Sequence, residues 1–402
     1  MKALIRLALC CVMGSAMLQV AAAQSVKPRP PSPPAASVPV APARATPAAS
    51  AEDDEWRMPD RVKVNDNTVT VITAPVGGIM AMLGSDMSRV LDDDANLRVI
   101  SMIGKGPVQN IADILYLKNV DMGMTLSDVP EFYKLQYNVP DIQTRLRYIA
   151  KLYNGEIHIV APTSIKTIFD LEGKTVVAPK DIGFATARAI FSRLGIKAKI
   201  DYRTDGFLGL QQVVDGKVDA WFTATGKINQ NVRAVKNSEG KLHFVSIPYD
   251  RRIQDLYLPT EFTNEDYPNL VAPNEPVDTV ANMAILASVN WPETSDRYKR
   301  VARFVDVFFQ KMDEFHKPPR NPKWREASIV TTVPGWIRFK AAQEWLDSHR
   351  PSAASADAAR PADPSTREFE QYLTQQNRSG QKLSPEEMVK VYSGFLEWRR
   401  NR

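Results

Sequence analysis

The sequence predicts an α/β protein of two lobes, and three observations carry that expectation. Strand-like and helix-like stretches alternate with short loops, the alternation restarts at mid-chain, and an apolar strand with a long amphipathic helix then leads back toward the first half. Such alternation builds a parallel or mixed sheet covered by helices, and right-handed crossovers set successive strand-to-helix loops along one carboxyl edge. Ligands of open α/β sheets bind at that edge.

In the first half, Thr68–Ala74 (TVTVITA) reads as a β-branched strand ended by Pro75-Val76-Gly77-Gly78, and Ile79–Leu91 places Met80, Leu83, Met87, Val90 and Leu91 at helical spacing. Leu97–Met102, the loop Gly104-Lys105-Gly106-Pro107 and Val108–Leu117 repeat the unit, with Pro107 suited to a helix's first turn. Val120–Thr125 and a helix starting near Ser127-Asp128 make a third. The second half opens with a strand at Ile157–Ala161, a turn at Leu171–Lys174, a strand at Thr175–Ala178 and a helix over Phe184–Leu194 closed by Gly195. Lys199–Tyr202 is the next strand, Phe207–Val214 a helix, Ala220–Thr223 a strand, and a further helix is expected from about Lys227. Val280–Ser288 is the returning strand, and Ser295–Met312 lines up Val301, Phe304, Val305 and Phe308 along one helical side.

Composition supports two cores, since 44% of 402 residues are hydrophobic. The formal charge of +5 does not indicate nucleic acid. Lys2, Arg6, Lys27, Arg29 and Arg44 stand in the acid-free first fifty residues, and residues 351–402 hold eight basic and seven acidic side chains, which leaves 51–350 at −1.

The ends read differently from the core. Lys2 and Arg6, the apolar stretch Leu7–Val20 and Ala21-Ala22-Ala23 form a signal-peptide pattern over residues 1–23, with cleavage expected after Ala23. Cys10 and Cys11, the only cysteines, leave with it. Residues 24–60 are a Pro/Ala-rich linker of extended character and 351–366 a second linker. Residues 367–402 form a helical tail, in which Ser384-Pro385-Glu386-Glu387 is a capping box introducing Met388, Val391, Tyr392, Phe395 and Trp398 on one face.

The run Leu97–Val129 (LRVISMIGKGPVQNIADILYLKNVDMGMTLSDV), with Glu172–Val177 (EGKTVV) and Asp215–Phe222 (DGKVDAWF), resembles the TAXI solute-binding proteins of TRAP transporters, within the type 2 periplasmic-binding fold and its NMT1/THI5-like members. The similarity extends over roughly Val69–Leu346. It implies two lobes joined by two crossing strands near Val160 and Val280, closing on a small ligand and docking on a permease. Lobe I would comprise 61–160 with a return over 281–350, lobe II 161–280, followed by the helical extension. The expected setting is the periplasm, the expected partners are a small carboxylate ligand and TRAP-type permease subunits, and no cofactor or nucleic acid is implied.

The resemblance also points to ligand-binding loops. Pro75-Val76-Gly77-Gly78 matches the family's Gly-Gly loop in its glycines but not in the polar residue that usually follows, here Ile79-Met80. Glycine lets backbone approach a ligand and helix starts offer N–H donors, although a tight turn needs the same residues. Ser127-Asp128 matches a Ser/Ala-Asp pair, where Ser127 can face the ligand and Asp128 cap a helix, and capping explains both almost equally well. Lys180-Asp181-Ile182-Gly183-Phe184-Ala185-Thr186 stands where the family has a Gly/Ser-rich loop, so Lys180, Gly183, Phe184 and Thr186 are candidates, with Lys105 across the cleft. Thr223, Thr225 and Gly226 lie at the next strand's carboxyl end.

An enzyme on this fold would need machinery the sequence does not display. His158, His243, His316 and His349 lack metal-ligand spacing, and no serine sits in a Gly-x-Ser-x-Gly elbow. Asp92-Asp93-Asp94 reads as a solvated loop. The alternative to transport is a ligand-sensing or assembly protein that uses its C-terminal helix as a partner surface.

Overall fold

The computed structural model describes residues 65–92, 96–180, 183–237 and 239–349, with Tyr372, Gln375, Gln376, Val391, Gly394, Phe395 and Trp398 of the tail. The expected signal peptide, both expected linkers and the Asp93-Asp94 part of the acidic loop fall outside the described residues.

In the first lobe β1 (Thr68–Ile72), β2 (Arg98–Met102) and β3 (Met122–Leu126) run parallel, with β1 in the middle. Helices α1 (Ile79–Leu91), α2 (Pro107–Tyr116) and α3 (Val129–Tyr137) follow them in turn. The chain then enters β4 (Leu146–Pro162), a 17-residue strand of which the sequence suggested only the last third. Arg147, Lys151, Asn154 and Glu156 interrupt its apolar pattern, which is why periodicity missed it.

The second lobe adds β5 (Thr175–Val177), α4 (Phe184–Leu194), β6 (Lys199–Asp201), α5 (Gly206–Val214) and β7 (Ala220–Thr225). The helix expected from Lys227 is a single turn, α6 (Gln230–Arg233), whose Asn229 side chain caps Asn231 and Val232 N–H. Short strands β8 (Leu242–Phe244) and β9 (Leu258–Phe262) precede β10 (Val277–Val289). The predicted helix over Ser295–Met312 divides at Lys311 into α7 (Asp296–Gln310) and α8 (Met312–Phe315), and α9 (Lys340–Ser348) completes the described core.

All ten strands form one mixed sheet, in the order β2-β1-β3-β10-β4-β7-β5-β6, with β8 on β4 and β9 on β10. Two long antiparallel strands, β4 and β10, therefore run through both lobes, and their pairing extends from Ala281↔Glu156 to Val289↔Leu146. On one side of the crossing, Leu146–Tyr153 and Met283–Ala287 pack with Val71, Leu83, Phe304, Phe308 and Trp324. On the other, Ile157, Ile159 and Val280 pack with Val176, Ile190 and Phe222, while Val160 joins a third cluster around Phe244 and Tyr267. The passage between cores falls at Asn154–Glu156 and Ala281–Asn282, so Val160 and Val280 already belong to the second lobe's packing. The carboxyl ends of β3 and β7 meet this passage from opposite sides, since Leu126 pairs with Ala284 and Thr225 with Glu156.

Among the described tail residues, Tyr372, Phe395 and Trp398 bring their rings together at centroid distances of 5.8–6.0 Å. No helix among the described residues is long and apolar enough to cross a membrane.

Candidate interlobe binding site

Three groups of residues occupy the space where the lobes meet. The first is a polar clasp. Asp128, at the start of α3 in lobe I, is 1% exposed, and accepts hydrogen bonds from the Tyr257 hydroxyl at 2.9 Å and from Asn282 Nδ2 at 3.2 Å. Asn282 Nδ2 also donates to Thr186 Oγ1 of α4. Burial raises the Asp128 pKa against the opposing pull of hydrogen bonds from Thr186, Asn282 and Tyr257. One carboxyl group is thus bonded to lobe II through Thr186 and Tyr257 and to a crossing strand through Asn282. Beside it Arg193 of α4 meets Glu131 of α3 at 3.1 Å and Asp255 at 3.1 Å, and Phe132 and Phe184 pack edge to face at 5.4 Å.

The second group lies at the crossing. Glu156 is 2% exposed, and its Oε2 accepts the Lys227 N–H at 2.7 Å. Burial pushes its carboxyl up to about 7, opposed by Lys323 and reinforced by Glu326. Lys323 pairs with Glu326, whose other oxygen accepts the Asn154 N–H, and Lys151 Nζ donates to the Glu326 carbonyl. The short 3-10 turn Pro322–Glu326 that presents Lys323 is anchored by fully buried Trp324, which donates from Nε1 to Asp86 at 3.0 Å. Two residues beyond Glu156, His158 is buried with Nδ1 on the Glu156 carbonyl and Nε2 on the Tyr267 hydroxyl. Desolvation holds its pKa down at about 3.

The third group is an open cavity of about 710 Å³ with walls from both lobes. Lys105, Gln109 and the α3 residues Phe132, Gln136 and Tyr137 form one wall, and Lys180, Phe184, Arg188 and Tyr202 face them from lobe II. Its cations are exposed at the rim while Phe132 is buried at its back. Among the described residues no lining side chain is acidic.

The candidates from sequence separate accordingly. Lys105, Lys180 and Phe184 come together in the cavity. Asp128 and Thr186 lie in the clasp beside it. Ser127 is committed inward: its N–H donates to the Met283 carbonyl, its Oγ accepts the Met283 N–H, and its carbonyl accepts Trp336 Nε1. Pro75, Val76, Gly77 and Gly78 form an exposed turn, with Gly77 at φ +89° and the Gly78 N–H returned to the Pro75 carbonyl. Thr223 is fully buried, Thr225 borders Glu156, and Gly226 packs against Lys323 and Ile79. The N–H groups of Gly78, Ser127 and Gly183 bond to the carbonyls of Pro75, Met283 and Pro179. The cavity lining carries three cations, Lys105, Lys180 and Arg188, beside the neutral donors of Gln109, Gln136, Tyr137 and Tyr202.

Gly183 is glycine for packing. A Cβ there would come within 2.7 Å of the Phe222 carbonyl oxygen and 3.1 Å of Pro179 Cδ. Gly183→Val is accordingly expected to destabilise lobe II by roughly 1–3 kcal/mol through overpacking, seen as a lower melting temperature. An unchanged melting temperature would contradict that packing.

Sequence reasoning passed over Glu156, Lys323, Glu326, Tyr257 and Asn282. The last had a signal, an amide inside the apolar run VANMAIL. Lys323 had none, because its position depends on the distant Trp324–Asp86 bond.

Residues 71–323, well over half of the chain, match the NMT1-like family, and the protein belongs to it. No curated protein matches. Solved structures similar to the chain include the BvgS periplasmic VFT2 domain of Bordetella pertussis, at 13% identity over 65% of this chain and 93% of that one with a TM-score of 0.36. A TctC solute-binding protein from Polaromonas shares 15% over 61% and 88%, TM-score 0.37. A periplasmic sulfonate-binding protein SsuA of a putative sulfonate ABC transporter, from Methylobacillus flagellatus KT, shares 12% over 81% and 94%, TM-score 0.39.

Proposed function

We propose that this protein is a periplasmic solute-binding protein, without catalytic activity, that captures a small organic acid between its lobes and delivers it to a membrane permease of the TRAP type. The observation that carries the reading is the interlobe cavity, to which lobe I contributes Lys105 and lobe II contributes Lys180 and Arg188. An anion seated there would neutralise charges from both sides and so favour closure, the lobes turning about β4 and β10. Membership of the NMT1-like family and the two-lobed fold support it, as does the signal-peptide pattern over residues 1–23.

Two measurements test it. Mass spectrometry of small molecules released by denaturing the protein, purified from its native periplasm, is expected to yield a carboxylic acid, and a neutral sugar would overturn the reading. X-ray scattering should give a smaller radius of gyration when that acid is added, and an unchanged radius with a tight ligand would remove the closure. The exported protein is further expected to begin near Gln24 by intact mass, and retention of Met1 would contradict the cleaved signal.

A further inference from the structure

We propose that the solute is an aromatic carboxylate, its ring held by a row of aromatic side chains and its anionic group by Arg188 and the flanking lysines. This rests on the organic-acid reading above and narrows it. The row crosses from lobe to lobe: Tyr137 lies 5.8 Å from Phe132, Phe132 5.4 Å from Phe184, and Phe184 4.6 Å from Tyr202, centroid to centroid. Its inner rings are packed, but its ends are not. Tyr137 is 56% and Tyr202 37% exposed, so both lobes turn large apolar faces toward the same open space.

The chemistry of the walls selects among acids. Ring faces carry negative and ring edges positive potential, so a planar aromatic guest gains offset-stacked or edge-on contacts worth about 0.5–1.5 kcal/mol per ring pair beyond simple burial. A short aliphatic diacid has too little apolar surface to cover these rings. Val108, Ala198 and Ile200 extend the apolar lining and would likewise remain wet around it. Arg188 offers a planar fork that matches a carboxylate with two parallel bonds, while Lys105 and Lys180 act as point charges at the rim. Tyr202 is further polarised by Arg203, whose guanidinium carbon stands 5.7 Å from the ring centroid.

Calorimetric titration of the purified exported protein with benzoate, isophthalate, succinate and glutamate tests this. At least one aromatic acid is expected to bind ten times more tightly than succinate, about 1.4 kcal/mol. Tyr202→Leu, at a partly exposed position, should erase that advantage without lowering the melting temperature, while Arg188→Gln should weaken every acid. Succinate or glutamate binding as tightly as the aromatic acids, in an Arg188-dependent way, would overturn the aromatic assignment and leave the organic-acid reading intact. An aromatic preference that survives Tyr202→Leu would also overturn it. Failure of both aromatic acids to bind at millimolar concentration would overturn the aromatic assignment, while the organic-acid reading stands or falls with the acid released from the native protein.

Discussion

In a Glu156→Gln variant, acidification from pH 6.5 to 3 is expected to reveal a loss of stability of about 4 kcal/mol, somewhat more than half of which the native side chain masks. The loss belongs to His158, whose folded pKa is lowered from 6.5 to about 3. A depressed histidine contributes stability that is fully present above its unfolded value and disappears as pH falls through the folded one. The ring is neutral by construction: Nδ1–H donates to the Glu156 carbonyl and Nε2 accepts the Tyr267 hydroxyl proton, whose oxygen already receives the Asn229 N–H. Glu156 works in the opposite sense. Its pKa is raised from 4.5 to about 7, so its contribution is complete below the unfolded value and is lost as pH rises through the folded one, about 3 kcal/mol in all. The two contributions offset each other between pH 4.5 and 6.5. Urea denaturation at several pH values should show Glu156→Gln falling away from the unaltered protein on acidification, and His158→Gln gaining on it. Parallel profiles for all three would refute the offset.

Asp128→Ala is expected to cost roughly 3–5 kcal/mol, because it strands buried partners in lobe II and on a crossing strand at once. The Tyr257 hydroxyl and the Asn282 amide would lose their carboxylate acceptor, and a cavity would open between α3 and α4. Asp128→Asn should cost about 1 kcal/mol, since an amide oxygen still accepts from Tyr257 and the raised pKa already marks a site that disfavours charge. Denaturant midpoints of the two variants provide the check. Equal and small effects would show that the clasp contributes little.

What the sequence disclosed, and what it did not, follows from how far apart the cooperating residues are. Most helices and strands were visible because their signals are local: alternating β-branched residues at Thr68–Ile72, Pro107 in a first turn, Gly195 in the left-handed conformation behind α4. Most of strand β4 was hidden because Lys151 and Glu156 are buried with partners on the 3-10 turn and after β7. At the site, Lys105, Lys180 and Phe184 could be placed by their loops. The backbone donors of Gly78 and Ser127 could not be judged from sequence, because turn closure at Gly78 and strand contact at Ser127 depend on Pro75 and on the distant Met283. Tyr137 and Tyr202 carry no local signal, as each gains meaning only from the other lobe.

The continuous sheet also dictates an order of assembly. Lobe II is one uninterrupted stretch between the two crossings, whereas lobe I is built from segments on either side of it and needs β10 between β3 and β4 before its core closes. A chain emerging from its amino end can complete the inserted lobe first, while β1, β2 and β3 wait with an open edge at β3 until Ala284–Ser288 arrive. Unpaired apolar edges of that kind invite association with other chains. The interval before β10 docks is therefore the stage of biogenesis at which a holding chaperone would protect this protein most.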